Sequence, residues 1–516
     1  MSIGVYEVAQ VRAAEAALMA RVPEGSLMQR AAAGLEAFLA RMLTQIRGGV
    51  VGSRVVVLVG SGNNGGDALW AAAGLARRGA RVDAVTLSDG WHTEGMSALL
   101  GAGGRMRAAS DPPPRDHAGL SGLIESADAI VDGITGIGGR GGLRGSARDI
   151  ARWVSASCAF VVAVDIPSGV DADTGAIGDG TDDASAGSGE CIMADATVTF
   201  GCLKPGLLVA PGRFPSGALH LVDIGLDADL GEPRCQVLDE LDIARCLPEP
   251  QDADYKYSRG VVGVGAGSRQ YRGAGFLATD AARASGVGMV HYLAFDDELG
   301  HAIAARLWDV VVSADIDDPR ITGYAVGPGW GGDDSTDEHL RKILAGDVPV
   351  VVDADGLRVL ARHREWVRER SRRAGVTVIT PHEGEFRALG FEIGRDRLDA
   401  TRRAAEDLEC VVVLKGPGTI IATPEGSSYV DTFGTAVLGT AGSGDVLTGL
   451  MGGMLAAARA REGALTVDGA ALVSAAAVGV HGIAGRLAAH GGRPVTAMDI
   501  AHAIPDAIAQ VRRGGR

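Results

Sequence analysis

Four aspartates stand where a carboxyl could pass a proton beside a bound anion. Asp67 closes G-S-G-N-N-G-G-D at 60–67, Asp132 and Asp165 end the runs "AIVD" and "FVVAVD", and Asp445 closes G-S-G-D at 442–445. A positioned carboxyl transfers protons, and glycine lets backbone amides come close to an anion. Residues 60–65 also spell G-x-G-x-x-G, with a strand pattern before, a helix pattern after and Asp89 past the next strand, as in dinucleotide-binding loops. Spelling alone leaves a rival reading open, a tight strand-to-helix turn in which Asp67 caps the helix. Asp-Ile-Pro-Ser at 165–168 is equally a capped loop when taken by itself.

Further segments favour chemistry. Asp132 leads into a loop holding Gly136, Gly138, Gly139, Gly141 and Gly142, and Asp165 leads through Pro167 to Ser168. Ligands of open α/β sheets bind at the carboxyl ends of strands, so the three strand ends that carry Asp67, Asp132 and Asp165 are expected to converge. In the second half, Gly442, Gly444 and Asp445 precede a long helix pattern, where helix amides hold an anion and a carboxylate can take a proton from an attacking hydroxyl. Lys415 in "LKGPGT" supplies charge for a phosphate, and His382 follows a Thr-Pro turn.

These residues need strands to present them. The chain alternates strand and helix patterns twice over, the mark of parallel α/β layers. Helices are predicted near 5–21 and 27–46, and strands near 54–59, 81–87, 128–132, 160–165, 196–200 and 218–223. Later strands are predicted near 260–264, 289–294, 309–313, 324–327, 348–353 and 376–380, then a hairpin over 410–430 and a helical tail from 443. The proline-bearing stretch 227–260 reads as a linker, so the domains are expected over 1–230 and 231–516.

Composition narrows the function classes. With 516 residues, two domains are expected, and the net charge of −15 argues against nucleic acid or an anionic membrane as partner. The six cysteines show neither C-x-x-C nor Cys/His clustering, so no zinc site or disulfide framework is read. The N-terminus has no secretory pattern, and the Ala-rich run at 463–485 reads as a buried helix rather than a span. A cytoplasmic location is expected.

Together the first segments resemble the epimerase domain of the NAD(P)H-hydrate repair enzymes, whose loop reads G-x-G-N-N-G-G-D-G; Ala68 here replaces the last glycine. "ADATVTFGCLKPG" at 194–206 also fits, and the resemblance covers roughly 5–225. It implies a Rossmann-like three-layer fold in which Asn63, Asn64, Gly65, Gly66 and Asp67 bind the hydrated nucleotide, as do Gly136, Ile137, Gly138, Gly139, Arg140, Gly141, Gly142 and Asp165. It further implies a potassium ion on Asn64, Asp132 and Ser168, and Asp165 as the acid/base group that shuttles a proton at the hydroxylated C6 of the nicotinamide ring.

The second half resembles the ADP- or ATP-dependent (S)-NAD(P)H-hydrate dehydratase, a ribokinase-like α/β fold. Its marks occur in order: "YKYSRGVVGVGAGS", "YRGAGFLATDAARASGVGMV", "VGPGW", "VVDADGL", "TPHEGEF" and "LKGPGT". The resemblance implies that Ala274, Gly329, His382 and Asp445 contact the hydrate. Lys415, Gly416, Pro417, Gly418, Thr419 and Gly444 would contact the nucleotide, and magnesium would accompany it. Asp445 would deprotonate the hydroxyl for phosphorylation, and phosphate elimination would follow. Two departures stand out: Trp330 after G-P-G where the family has a smaller residue, and "GTAVLGTAGSGD" before Asp445.

The expectation is a bifunctional repair enzyme acting on NADHX and NADPHX with ADP, or ATP, as donor, and a homo-oligomer by resemblance. A ribokinase-like small-molecule kinase with a nonenzymatic first domain is the alternative. A binding module akin to RNA-associated scaffolds is a further one, disfavoured by the acidic charge and by Asp67, Asp132 and Asp165.

Overall fold

The run Arg54–Val59 is buried at every position after the first, which a strand tolerates only when both faces of its sheet are covered. Alternate residues enter different cores: Val55, Val57 and Val59 join one cluster with the helix residues Leu35, Leu39 and Leu43, while Val56 and Leu58 join another with Ile150 and Val154. That alternation is the period-two geometry of a strand sandwiched between helical layers.

The computed structural model describes residues 2–109, 117–178, 190–332 and 335–514. The chain divides into two units, one comprising Gly4–Arg234 with Gly394–Asp396, the other Met1–Ile3, Cys235–Ile393 and Arg397–Arg516. After a short N-terminal strand β1 (Ile3–Val5), the first unit holds β2 (Arg54–Val59), β3 (Arg81–Thr86), β4 (Arg105–Ala108), β5 (Ala129–Gly133), β6 (Phe160–Val164), β7 (Ala196–Phe200) and β8 (Ala218–Val222). Their order is β4-β3-β2-β5-β6-β7-β8, and all pairs are parallel. The connections reverse direction between β2 and β5, which opens a crevice at those strand ends, the Rossmann-like arrangement.

The second unit holds β9 (Cys235–Val237), β10 (Val261–Gly265), β11 (Met289–Leu293), β12 (Val310–Ser313), β13 (Gly323–Val326), β14 (Val350–Val352), β15 (Thr377–Ile379), β16 (Val411–Leu414), β17 (Ile420–Ala422) and β18 (Ser428–Val430). Their order is β9-β18-β17-β16-β15-β14-β13-β10-β11-β12, with β17 antiparallel to both neighbours. The reversal here lies between β10 and β13. Val350 and Val352 face one core and Val351 the other, so this sheet too is covered on both sides.

Three strands escaped the sequence reading. β4 is exposed throughout, with Arg105 and Arg107 on an edge, and so lacks the apolar signal. β9 lies within the presumed linker, followed by the helix Glu240–Cys246, and β1 is only three residues long. Asp67 is not a helix cap, because its helix runs Asn63–Arg77 and starts after Gly62. Asp89 is exposed, beyond the end of β3. The apolar helix Val467–Ala488 is long enough to cross a membrane by length and composition, and 78% of its most apolar window is buried in the protein.

Candidate active sites

In the first unit the loops after β2, β5 and β6, which are neighbours in the sheet, bring the predicted residues together. Asp132 is fully buried. Ser168 donates to it twice, from its backbone N–H at 2.8 Å and its hydroxyl at 2.6 Å, and Ile134 N–H donates at 3.3 Å. Burial pushes the Asp132 carboxyl up to about 6, against the pull of these hydrogen bonds. Thr135 N–H donates to the Ser168 hydroxyl at 2.9 Å, tying the loops after β5 and β6 together. Asn64 reaches the same place: a side chain on Gly136 would meet its amide carbon and oxygen at 3.0 Å, and its buried Nδ2 has no hydrogen-bond partner.

Asp165 follows β6 with a φ of 66°, a left-handed conformation that is uncommon outside glycine and asparagine. Its Oδ1 accepts from Lys204 Nζ at 2.6 Å and Thr199 Oγ1 at 3.1 Å. Lys204 also donates to Thr199 Oγ1 and the Phe200 carbonyl, each at 2.9 Å. That ammonium is fully engaged. Burial holds the Asp67 carboxyl well above the usual range, with the charges of Asp165 and Glu15 pushing the same way. Glu15, on the helix Val8–Met19, is raised by burial and then by Asp165, with Lys204 and Arg12 opposing. The charge of Asp165 thus raises the proton affinity of both Asp67 and Glu15, with Lys204 paired to Asp165. On the glycine loop, Ile137 is half-buried against the core, Arg140 is exposed, and the Arg12 guanidinium stands 3.2 Å from where a side chain on Gly138 would begin.

In the second unit, the ends of β14, β15 and β16 deliver Asp353, His382 and Lys415. Lys415 Nζ pairs with Asp353 Oδ1 at 2.5 Å and lies 3.8 Å from Glu385 Oε2. Thr448 Oγ1 donates to the other Asp353 oxygen at 2.8 Å. The helix Ser443–Glu462 points its N-terminus at this pair, since a side chain on Gly444 would stand 3.5 Å from Lys415 Nζ and 3.6 Å from Asp353 Oδ2. Asp445, in the first turn, is pushed up to about 6 by burial and then by the Asp353 charge, with Lys415 opposing. Behind the turn, Ser443 Oγ and His481 Nε2 are 3.2 Å apart, and burial drives His481 down to about 4, so it is neutral.

At the ends of β10 and β13, Gly329 has a φ of 64° and packs on Ala274: a side chain there would meet the Ala274 Cβ at 2.7 Å. The Trp330 indole is buried and donates to the Gly265 carbonyl at 2.8 Å, so it braces the turn from the core side. His382 caps the helix Glu383–Ala388, accepting from Glu385 N–H at Nδ1, while its side chain remains 60% exposed.

Residues 24–206 match the family described as YjeF-related protein N-terminus, and residues 262–506 match the one described as NAD(P)H-hydrate dehydratase. The bifunctional NAD(P)H-hydrate repair enzyme Nnr of Mycobacterium tuberculosis is 43% identical over 455 residues, covering 87% of this chain and 89% of the relative. This chain belongs to the bifunctional NAD(P)H-hydrate repair enzymes. The Corynebacterium glutamicum Nnr is 31% identical over 579 residues, covering 98% of each chain. A solved Bacillus subtilis ADP/ATP-dependent NAD(P)H-hydrate dehydratase, co-crystallised with ATP/Mg2+, is 25% identical and covers 53% of this chain and 98% of its own, at a TM-score of 0.46.

As a repair enzyme of this family, the protein joins an NAD(P)H-hydrate epimerase to an NAD(P)H-hydrate dehydratase. Several site residues were not singled out from sequence: Glu15, Arg12, Thr199 and Lys204 in the first unit, and Asp353, Glu385, Thr448 and His481 in the second. Two had a readable signal. Lys204 is a lone charge in the apolar run "TFGCLKPG", and Asp353 is a carboxylate at a β-branched strand end, the same pattern that exposed Asp132 and Asp165.

Proposed function

We propose that the first unit interconverts the R and S hydrates at Asp165 and that the second dehydrates the S form at Asp445. One observation carries the second assignment: a carboxyl raised to about 6 stands in the first turn of a helix whose Gly444 lies beside Lys415. A base poised near neutral pH beside an anion-binding helix end suits phosphoryl transfer to a hydroxyl. Asp445 takes the proton from the C6 hydroxyl as its oxygen attacks the terminal phosphorus of the donor. The donor's bridging P–O bond breaks, and Lys415 with the Gly444 amide meets the charge that develops. Phosphate then departs with the C6–O electron pair, and loss of a proton from the adjacent ring carbon restores the double bond of NAD(P)H.

In the first unit, Asp165 exchanges a proton with the hydroxylated centre while that centre is opened. Lys204 and Thr199 hold Oδ1 and leave Oδ2 to the substrate. Asn63, Asn64, Gly65, Gly66 and Asp67 with Gly136 to Gly142 bind the nucleotide. A potassium ion fits Asn64, Asp132 and Ser168. Asp132 is a buried carboxylate with no cation at ion-pair distance among the described residues, and oxygen donors suit a hard monovalent ion. Such an ion would neutralise Asp132 and order the loops around it. Magnesium would be held through the donor's phosphates by Asp353 and Glu385, the oxygen donors beside Lys415, and would spread phosphoryl charge.

The donor is proposed to be ADP in preference to ATP. Pure S hydrate with either nucleotide, followed by NADH absorbance, tests both donor and reaction: NADH should form with ADP at the higher kcat/KM, and nucleotide turnover without NADH would leave only a kinase. Thermal melts in potassium against choline test the ion. Potassium should raise Tm of the unaltered protein and not of Asp132→Asn; an equal rise in both would remove it from this site.

A further inference from the structure

Beside the proposed donor loop lies a buried cation with too few partners. Arg397 opens the helix Arg397–Leu408 with its side chain only 7% exposed, and its ion partner is Glu383, reached through Nη1. Its Nε and Nη2 are buried without a hydrogen-bond partner. A buried donor left unmade costs about 1–3 kcal/mol, more when charged. Nη2 lies against the loop: a side chain on Gly416 would begin 2.9 Å from it and press on the guanidinium. Gly416 is exposed, so a nucleotide can reach it. In a planar trans peptide the N–H and C=O point opposite ways. A peptide unit that turns its N–H out toward a phosphate therefore turns its carbonyl inward, to the side Arg397 occupies.

We propose that Arg397 is a positioning residue for the phosphoryl donor, its Nε–Nη2 edge donating to carbonyls of the Lys415–Thr419 loop when that loop's amides turn toward the nucleotide. Glu383 sets the guanidinium in place. The inference rests on the reading of Lys415–Thr419 as the donor loop. A lysine in its place would keep the ion pair with Glu383 and lose the planar fork that serves two carbonyls.

The test is steady-state kinetics of the full chain on S hydrate with varied donor. Arg397→Gln and Arg397→Lys should raise the donor KM about tenfold to a hundredfold, the scale of one or two charged hydrogen bonds, with kcat changed far less and epimerisation unaltered. Glu383→Gln should raise it much less. Rescue by Arg397→Lys, or an equal rise in Glu383→Gln, would overturn the proposal by reducing Arg397 to a structural ion pair. If the Arg397 variants fail to fold, Gly416→Ala reads the same contact: its added methyl should raise the donor KM, and an unchanged donor KM would overturn the proposal. Lys415→Ala separates the two levels, since an unchanged donor KM there would unseat the donor-loop reading itself.

Discussion

Each unit keeps a lysine–aspartate pair at the carboxyl ends of its parallel strands, and the two pairs are sealed from opposite sides. In the first, Lys204 is 1% exposed and Asp165 is 11% exposed. In the second, Asp353 is 2% exposed and Lys415 is 19% exposed. The open partner names the chemistry. A carboxylate presented by a buried ammonium suits proton transfer at an uncharged hydroxylated centre, while an ammonium presented by a buried carboxylate suits a phosphate. On the proposed reading the second unit then needs a separate base, Asp445, and the first needs none.

Substitutions should split along this line. The largest effect is expected from Asp445→Asn, which should lower the rate of NADH recovery from S hydrate by about a thousandfold, within the range for a lost general base, and leave epimerisation intact. Equal loss of both activities would erase the distinction. Next, Lys204→Met leaves Asp165 without its ammonium, at a space that water does not reach, and should cost about 3–5 kcal/mol of stability in denaturant melts. Lys415→Met should cost less, because water reaches the space it leaves, and should show mainly as a raised donor KM. A reversed order of the two stability losses would break the comparison of sealed and open partners.

Smaller effects sharpen it. Asp445 titrates near 6 and must be ionised to accept a proton, so dehydration should fall about tenfold per pH unit below that value. A flat profile down to pH 5 would remove Asp445 as the base. Smallest, Trp330→Phe loses the indole bond to the Gly265 carbonyl and should lower stability by about 1 kcal/mol, with either activity changed less than twofold. A larger change in dehydration would place that side chain in the pocket wall.

Much of this arrangement is legible in the chain. Parallel strands buried on both faces announce themselves as β-branched runs, and a carboxylate at the end of such a run is visible for Asp132 and Asp165, as the glycine-rich start of a helix is for Asp445. What escaped depends on partners distant in sequence. Glu15 looks like one more charge on a helix until the fold brings it near Asp165, and Arg397 like a helix-opening arginine until the loop at Gly416 covers it. Edge strand β4 was missed for the converse reason, since no apolar face marks it.

On the proposed reading the two sites act in series, the first feeding the second with the form it accepts. Equal amounts of R and S hydrate, saturating donor and purified protein, followed by NADH absorbance over a time short against spontaneous epimerisation, test it most directly. Recovery should run to the full amount with the unaltered chain and stop near half with Asp165→Asn. A plateau near half with the unaltered chain would mean that the first site does not feed the second.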